Sequence, residues 1–223
     1  LALHNSHSEA AMNQRLTPRK QPRQKRSQET CAVILEAAAR ILETDGLGGL
    51  TTNRVAVTAG VSVGSLYQYF PSKEAILAEL IRRLRRSLLS DCQIAVEAVR
   101  GRPLEDAVEA LVRASLQHHL VRPDLARVLE RAEDELPLEE DLRAIKGELM
   151  TLVIGALEDR DVANADQVAF DLVALGHGLA SAAIASGETD LENLFLRLRR
   201  ATLGYLGLPV SLPEHGAEGV TAA

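Results

Sequence analysis

Aromatic side chains are scarce in this chain, whose 223 residues contain no Trp, three Tyr and three Phe. A core built around large rings is therefore excluded, and the 46% of hydrophobic residues must pack mainly through Leu, Val, Ile and Ala. Those residues, with 25% charged positions and few Gly or Pro inside long segments, are typical of helices. The composition predicts an all-α fold with room for one sizeable domain or two smaller ones.

Cysteine is equally rare. Cys31 and Cys92 each lie inside a helical pattern without a partner nearby in sequence, so a disulfide framework is not indicated. No apolar run reaches the roughly 18 residues of a membrane span, and the first residues lack the apolar stretch of a signal peptide. We expect a cytoplasmic protein without a membrane partner.

Positive charge is in deficit overall, but it is concentrated at one end. Residues 1–90 carry 13 Lys and Arg against 7 Asp and Glu, whereas residues 91–223 carry 12 against 24. The net charge of −6 thus divides into a basic front of +6 and an acidic back of −12. This asymmetry suits a protein that offers one end to a polyanion, with chance clustering on a solvated surface as the alternative.

Residues 1–26 lack apolar periodicity and predict a disordered basic arm. Two prolines keep the arm extended, and its cations have no acid between them. The prolines are Pro18 and Pro22, and the cations are Arg15, Arg19, Lys20, Arg23, Lys25 and Arg26. Met12 is a candidate start of the native chain, and residues 1–11 would then be vector-derived or a gene-start error.

Helical periodicity begins after the arm. A first helix is predicted at about 28–45, capped by Ser27 and ended by Gly46. Thr51 or Thr52 opens a second helix, and the later starts and ends follow from cap residues and breakers. Gly60 turns into a third helix capped by Ser62, Ser72 caps a long fourth helix, and five more helices follow at about 104–120, 123–134, 138–159, 163–186 and 190–206.

The third helix has an unusual distribution of side chains. On a 100° wheel, Leu66 and Phe70 define its buried side, and Gln68 lies directly opposite. Gly64 and Ser65 fall within about 60° of Gln68, and Tyr67 and Tyr69 flank the group. Gln can bond adenine through two hydrogen bonds and Ser can bond several bases, so this face predicts a helix that reads the major groove.

Neighbouring residues can support that helix on DNA. The helix N-termini at Thr51, Thr52 and Lys73 suit phosphates, and Asn53 can reach a base edge or the backbone. Each residue taken singly is as well explained as a cap, a solvated end or packing. Their convergence on one surface beside a basic arm favours DNA, and the predicted contacts are Thr51, Thr52, Asn53, Val63, Gly64, Ser65, Tyr67, Gln68, Tyr69 and Lys73.

These residues carry a family resemblance over about residues 27–80. The matching positions are Thr51-Thr52, Ala59-Gly60-Val61-Ser62, Gly64, Leu66-Tyr67, Tyr69-Phe70 and Ser72-Lys73-Glu74. The segment resembles the N-terminal domain of the tetracycline-repressor (TetR) family. The resemblance implies three DNA-binding helices, a connecting helix and a larger helical domain that binds a small ligand and dimerises. It also implies DNA contacts at the positions of Thr52, Asn53, Val63, Ser65, Tyr67, Gln68, Tyr69 and Lys73, of which Asn53 occupies a position that varies among members.

We therefore expect a helix-turn-helix domain over 27–73, an effector-binding and dimerisation domain over 74–207 whose first part (74–100) is the connecting helix, and a flexible tail over 208–223. The predicted function is a nucleoid-associated transcriptional regulator, a ligand-released repressor that binds a pseudo-palindromic DNA operator as a dimer. The two apolar last helices are the predicted homodimer contact. The alternative is a helical ligand-binding or adaptor protein that has lost specific DNA binding.

Other constellations are weaker. No pattern of catalytic residues is recognisable, so an enzyme is a distant third reading, and no cofactor or metal is expected. His118 and His119 are adjacent and point about 100° apart, which makes a poor metal-binding pair. The acidic run over 130–141 and the four arginines over 82–86 are interpreted as solvated faces. Candidate effector-binding residues are Leu116, Leu120, Met150, Phe170 and His177.

Overall fold

The computed structural model describes Leu16 and residues 25–209, apart from the side chains at positions 25, 118, 120 and 139. Within this part the chain forms nine helices and no strand, which confirms the predicted all-α class. The predicted arm and tail lie almost entirely outside the described residues.

The helices follow the predicted order, and the last five match their predicted bounds to within two residues. They are α1 Lys25–Gly49, α2 Thr52–Ala59, α3 Val63–Tyr69, α4 Lys73–Ala98, α5 Leu104–Val121, α6 Pro123–Glu135, α7 Glu139–Glu158, α8 Ala165–Ala185 and α9 Leu191–Tyr205.

The bounds of α1 differ from the prediction at both ends. The helix already includes Lys25, so Ser27 lies in its first turn and the prediction of a Ser27 cap was wrong. Gly46 does take the expected positive φ, at φ 63° and ψ −163°, but a further turn continues to Gly49 beyond this kink.

A close backbone approach follows the kink. A Cβ placed on Gly49 would lie 2.4 Å from Cβ of Asp45 and 3.0 Å from Nη1 of Arg54. Beside this position, Nη2 of Arg54 donates to Oδ2 of Asp45 over 2.6 Å, which ties the first turn of α2 to the end of α1. Position 49 therefore requires glycine.

Two groups of helices share the interior. In the N-terminal core, Leu42, Leu66 and Ile76 from α1, α3 and α4 pack in one cluster with Leu125 and Leu129 of α6. Helix α6 follows the first four helices in sequence by more than twenty residues, yet its buried side belongs to their core.

The remaining interior lies further along the chain, in two smaller clusters. One joins α5, α8 and α9, and the other joins α7 and α8. The buried members of the first are Leu116, Ala183, Leu194, Phe195 and Leu198, and those of the second are Val153, Leu157, Ala165 and Ala169.

The interpretation of the α4 arginines as a solvated face was wrong for two of the four. Arg82 is only 7% exposed, donates to Asp141 of α7 and donates to the carbonyl of Leu16 over 3.2 Å. Arg85 donates to Glu133 of α6 over 2.8 Å. The acidic run is likewise partly engaged in the fold, because both acceptor carboxylates are half-buried against α4.

Both cysteines are buried and free, in agreement with the absence of a predicted disulfide framework. Burial raises the pKa of the Cys31 thiol and raises the pKa of Cys92 to about 11. Both side chains are therefore neutral thiols at physiological pH.

Helix α8 is the most apolar element of the described part. By length and composition alone it could cross a membrane, with a mean hydropathy of 1.6. Only 17% of that apolar window is buried within the single chain. Asp171 interrupts the apolar run within this helix and accepts a hydrogen bond from the hydroxyl of Tyr205 on α9. An apolar helix that is incompletely covered within one chain is a candidate surface for contact with a partner.

The Gly49 packing makes a prediction about stability. Replacing Gly49 by Ala should lower the free energy of unfolding by about 1–3 kcal/mol, because the new methyl group would overlap Cβ of Asp45. Denaturant unfolding followed by circular dichroism measures this change. Gly48→Ala is the matched control, since a Cβ there meets nothing within 4 Å. Equal behaviour of the two variants would contradict the packing described.

Candidate nucleic-acid interface

The start of α2 is fixed by a threonine cap and by a contact with α3. Thr51 has extended backbone angles and its hydroxyl accepts a hydrogen bond from the backbone N–H of Arg54 over 3.2 Å. Thr52 is half-buried, and its hydroxyl lies 3.1 Å from the hydroxyl of Tyr67. The pair connects the first turn of α2 to the side of α3, while Asn53 remains exposed.

Helix α3 has the predicted start and the predicted buried side. Gly60 takes φ 67°, and the hydroxyl of Ser62 accepts from the backbone N–H of Ser65 over 3.0 Å. Leu66 is fully buried and Phe70 is 1% exposed, so these two side chains set the rotation of the helix against the core.

The opposite side of α3 faces outward. Gln68 and Gly64 are exposed, and a Cβ on Gly64 would meet only the hydroxyl of Ser62 at 3.9 Å. Val63 and Tyr67 are 37% and 39% exposed beside them. The amide of Gln68 is therefore presented on an open surface that a groove of DNA can approach closely.

Two predicted contacts are engaged inside the chain. Ser65 is half-buried, and its hydroxyl lies 2.8 Å from that of Ser62. Tyr69 packs against the N-terminal core, and its hydroxyl donates to Ser27 of α1 over 3.4 Å. Tyr69 therefore links α3 to α1, and the two flanking tyrosines are not equivalent.

The N-terminus of α4 completes the surface. The hydroxyl of Ser72 accepts from the backbone N–H of Ala75 over 3.2 Å, as predicted for a cap. Lys73 follows as an exposed first residue. An exposed cation beside free helix N–H groups suits a phosphate oxygen.

Sequence reasoning missed Arg54. Its exposed guanidinium lies in the first turn of α2, next to Asn53, and is held by Asp45. A hydrogen bond from Thr44 and the contact with Arg54 lower the pKa of the Asp45 carboxyl. The nine-residue separation of this ion pair across a glycine-rich turn follows no simple periodicity, so no local pattern indicated it.

The candidate effector-binding residues lie in different surroundings. Leu116 belongs to the cluster of α5, α8 and α9, and Met150 packs against that of α7 and α8. Phe170 is 59% exposed and His177 is exposed, both on α8. The side chain of Leu120 lies outside the described residues.

A cavity of about 280 Å³ lies elsewhere, at the connection between α6 and α7. Its lining includes Glu133, Lys146, Leu138 and Leu142, and none of the five candidate effector-binding residues contributes to it. Among the described side chains, no group of three or more His, Cys, Asp or Glu is arranged to hold a metal ion.

Comparison with known proteins assigns the chain to a family. The model named "Bacterial regulatory proteins, tetR family" matches residues 34–80, and "Tetracyclin repressor-like, C-terminal domain" matches residues 103–206. A helix-turn-helix with an outward polar face is the element that such DNA-binding regulators place in the major groove. The chain belongs to the TetR family of transcriptional regulators.

Individual relatives match over part of their length. The nucleoid occlusion factor SlmA of Glaesserella parasuis serovar 5 (strain SH0165) is 33% identical over 97 residues, 43% of this chain and 47% of SlmA. The HTH-type transcriptional regulator BetI of Rhizobium meliloti (strain 1021) is 35% identical over 91 residues, 41% of this chain and 44% of BetI. The chain thus spans about half the length of the curated relatives it matches.

Similarity to solved structures extends further. The SmeT–triclosan complex superimposes with a TM-score of 0.64 at 20% identity, covering 83% of this chain and 98% of SmeT. At this identity the match establishes a common fold, including the helices beyond α4.

The Ser62 cap gives a prediction for the site. Ser62→Ala should lower the free energy of unfolding by about 1 kcal/mol, because the N–H of Ser65 loses its acceptor. Ser62→Asp supplies another acceptor and should stay within about 0.5 kcal/mol of the original chain. Thermal and denaturant unfolding compare the three proteins. If Asp destabilises as much as Ala, the hydroxyl of Ser62 does not act as the cap.

Proposed function

We propose that the chain is a dimeric, ligand-released repressor that reads a pseudo-palindromic DNA operator through the outward face of α3. The observation that carries the proposal is the exposed amide of Gln68, opposite the buried Leu66 and Phe70. An amide side chain held in this orientation can pair with the N6 and N7 atoms of adenine in the major groove. Helix α3 has seven residues and is about 10 Å long, which fits a groove about 12 Å wide.

Contacts to the DNA backbone would fix the position of α3. The candidate backbone contacts lie before and after α3 in sequence. They are Thr51, Thr52 and Asn53 at the start of α2 and Lys73 at the start of α4, and all except Thr52 are exposed. Tyr67 would support a phosphate contact together with Thr52, since their hydroxyls are already 3.1 Å apart. Val63 and Gly64 provide the close surface, and Ser65 and Tyr69 keep the helix in place.

Dimerisation would place two copies of α3 on one face of the duplex. Only 17% of the apolar window of α8 is buried in the single chain, and Phe170 on α8 and Leu196 on α9 are exposed. A twofold contact through α8 and α9 would bury that surface and relate two half-sites about one helical turn apart, or somewhat more. We assign 27–73 to DNA binding and 74–207 to dimerisation and effector binding.

A small apolar or amphipathic molecule is the proposed effector, and its binding would release the operator. Support comes from the apolar clusters formed by α5 and α7–α9 and from the structural similarity to SmeT, which was solved with triclosan. Leu116, Leu120, Met150, Phe170 and His177 remain candidate contacts, with the two α8 residues placed where a partner would cover them. The effector would favour a state in which the two reading helices are wrongly spaced. Such a repressor acts in the cytoplasm, at the nucleoid.

In-vitro selection from random duplexes tests this function directly. The original chain should enrich a reproducible inverted repeat, because two identical reading helices related by a twofold axis require one. Enrichment of no sequence would favour a helical ligand-binding or adaptor protein without specific DNA binding. An apolar compound library added to the selected complex then tests release.

Gln68→Ala should weaken binding to the selected duplex by about 1–3 kcal/mol and relax base choice at one position in each half-site. Titrations of the selected duplex and of single-base variants measure both effects. Glu74→Gln is a control at the start of α4, outside the proposed contacts. A uniform loss over all duplexes would show that Gln68 does not read a base.

A further inference from the structure

Arg122 lies between α5 and α6, at the corner where the two parts of the interior meet. Before it, α5 packs through Leu116 into the cluster with α8 and α9. After it, α6 packs through Leu125 and Leu129 into the core that holds α1, α3 and α4. A displacement of α5 relative to the N-terminal core must therefore act on this corner.

The Arg122 side chain is bound to α1 by three hydrogen bonds. Its Nε and Nη2 donate to the two carboxylate oxygens of Glu43 over 2.6 and 2.7 Å, and its Nη1 donates to Glu36 over 2.9 Å. A bidentate guanidinium–carboxylate contact fixes orientation as well as distance. The corner is thus held to α1 at two carboxylates about two helical turns apart.

The charges of this contact are mutually stabilised. The hydrogen bonds that Arg122 donates to Glu43 and to Glu36 raise the pKa of Arg122, against an opposing effect of burial. The pKa of the Glu36 carboxyl is lowered, chiefly by Arg40 and also by Arg122. The lowered pKa of Glu36 and the raised pKa of Arg122 keep these two groups charged at physiological pH.

Connections on both sides extend the contact. In the last turn of α5, Nε2 of His119 lies 3.3 Å from a carboxylate oxygen of Glu130 on α6, which fastens the two helices across the corner. On the other side, the hydroxyl of Tyr69 bonds Ser27, so α1 is tied in turn to the reading helix α3. A continuous series of contacts runs from α5 to α3.

We propose that Arg122 is a positioning residue that couples the conformation of the C-terminal helices to the orientation of α3. The inference rests on the proposed function, because its effect is read through operator binding. Coupling between two binding sites is reciprocal. If effector binding changes the orientation of α3, then operator binding at α3 must also change the conformation of α5. DNA alone can therefore serve as the probe.

Hydrogen exchange with and without the selected duplex tests the coupling. In the original chain, operator binding should change the exchange rates of amides in residues 108–121 by about fivefold or more, in addition to protecting α2 and α3. In Arg122→Gln the protection of α2 and α3 should persist, while the change in residues 108–121 falls below about twofold.

Further variants separate coupling from stability. Arg127→Gln is the matched control, because Arg127 is an exposed α6 arginine that pairs with Asp124 inside its own helix and should leave the change in α5 intact. Arg122→Lys keeps the charge without the bidentate geometry and should give an intermediate change. Glu43→Gln removes the carboxylate that accepts from Arg122, and it replaces Arg122→Gln in the experiment if that variant does not fold.

Two results would overturn the inference. One is an original chain in which operator binding leaves α5 unchanged, and the other is a change in α5 that Arg122→Gln and Glu43→Gln both retain at full size. An original chain that selects no duplex is a different result, since it removes the proposed function and the coupling together.

Discussion

The rotation of α3 about its own axis is the constraint on which the functional surface depends. Burial of Leu66 and Phe70 leaves one rotation in which Gln68 points outward. The Ser62 cap sets where the helix starts, and the hydroxyl contacts of Tyr67 with Thr52 and of Tyr69 with Ser27 restrain both flanks. A seven-residue helix has little stability of its own, so these tertiary contacts must hold it.

Holding α3 in this way makes the first three helices dependent on the rest of the chain. Leu125 and Leu129 of α6 complete the core of these helices, so the DNA-binding domain does not bury its apolar side chains with its own residues alone. A shared core transmits displacement, since packed side chains do not deform continuously. The burial that stabilises α3 therefore also makes its position depend on α6, which lies more than forty residues away in sequence.

How far sequence predicted the structure depended on the range of the interaction. Caps follow from side chains within three residues of the N–H groups that they bind. Ser62 and Ser72 were confirmed, and of the alternatives Thr51 and Thr52 the structure has Thr51. The predicted start of α1 was wrong. Ser27 has a residue type that often caps helices, but its hydroxyl instead accepts a hydrogen bond from Tyr69, 42 residues away. Pairs such as Arg122 with Glu43, 79 residues apart, leave no periodic trace in the sequence.

The asymmetry of charge has two physical uses, and only one of them concerns DNA. Arg82 and Arg85 of the basic front are bound by Asp141 and Glu133 of the acidic back. The reverse also holds, because Arg122 from the acidic back bonds two carboxylates of α1. Charges satisfied within the fold attract phosphates weakly, so a field that steers DNA must come from unpaired cations on the outward side. The net charge of residues 1–90 therefore exceeds the positive charge available to DNA, because part of it forms ion pairs that join the two parts of the molecule.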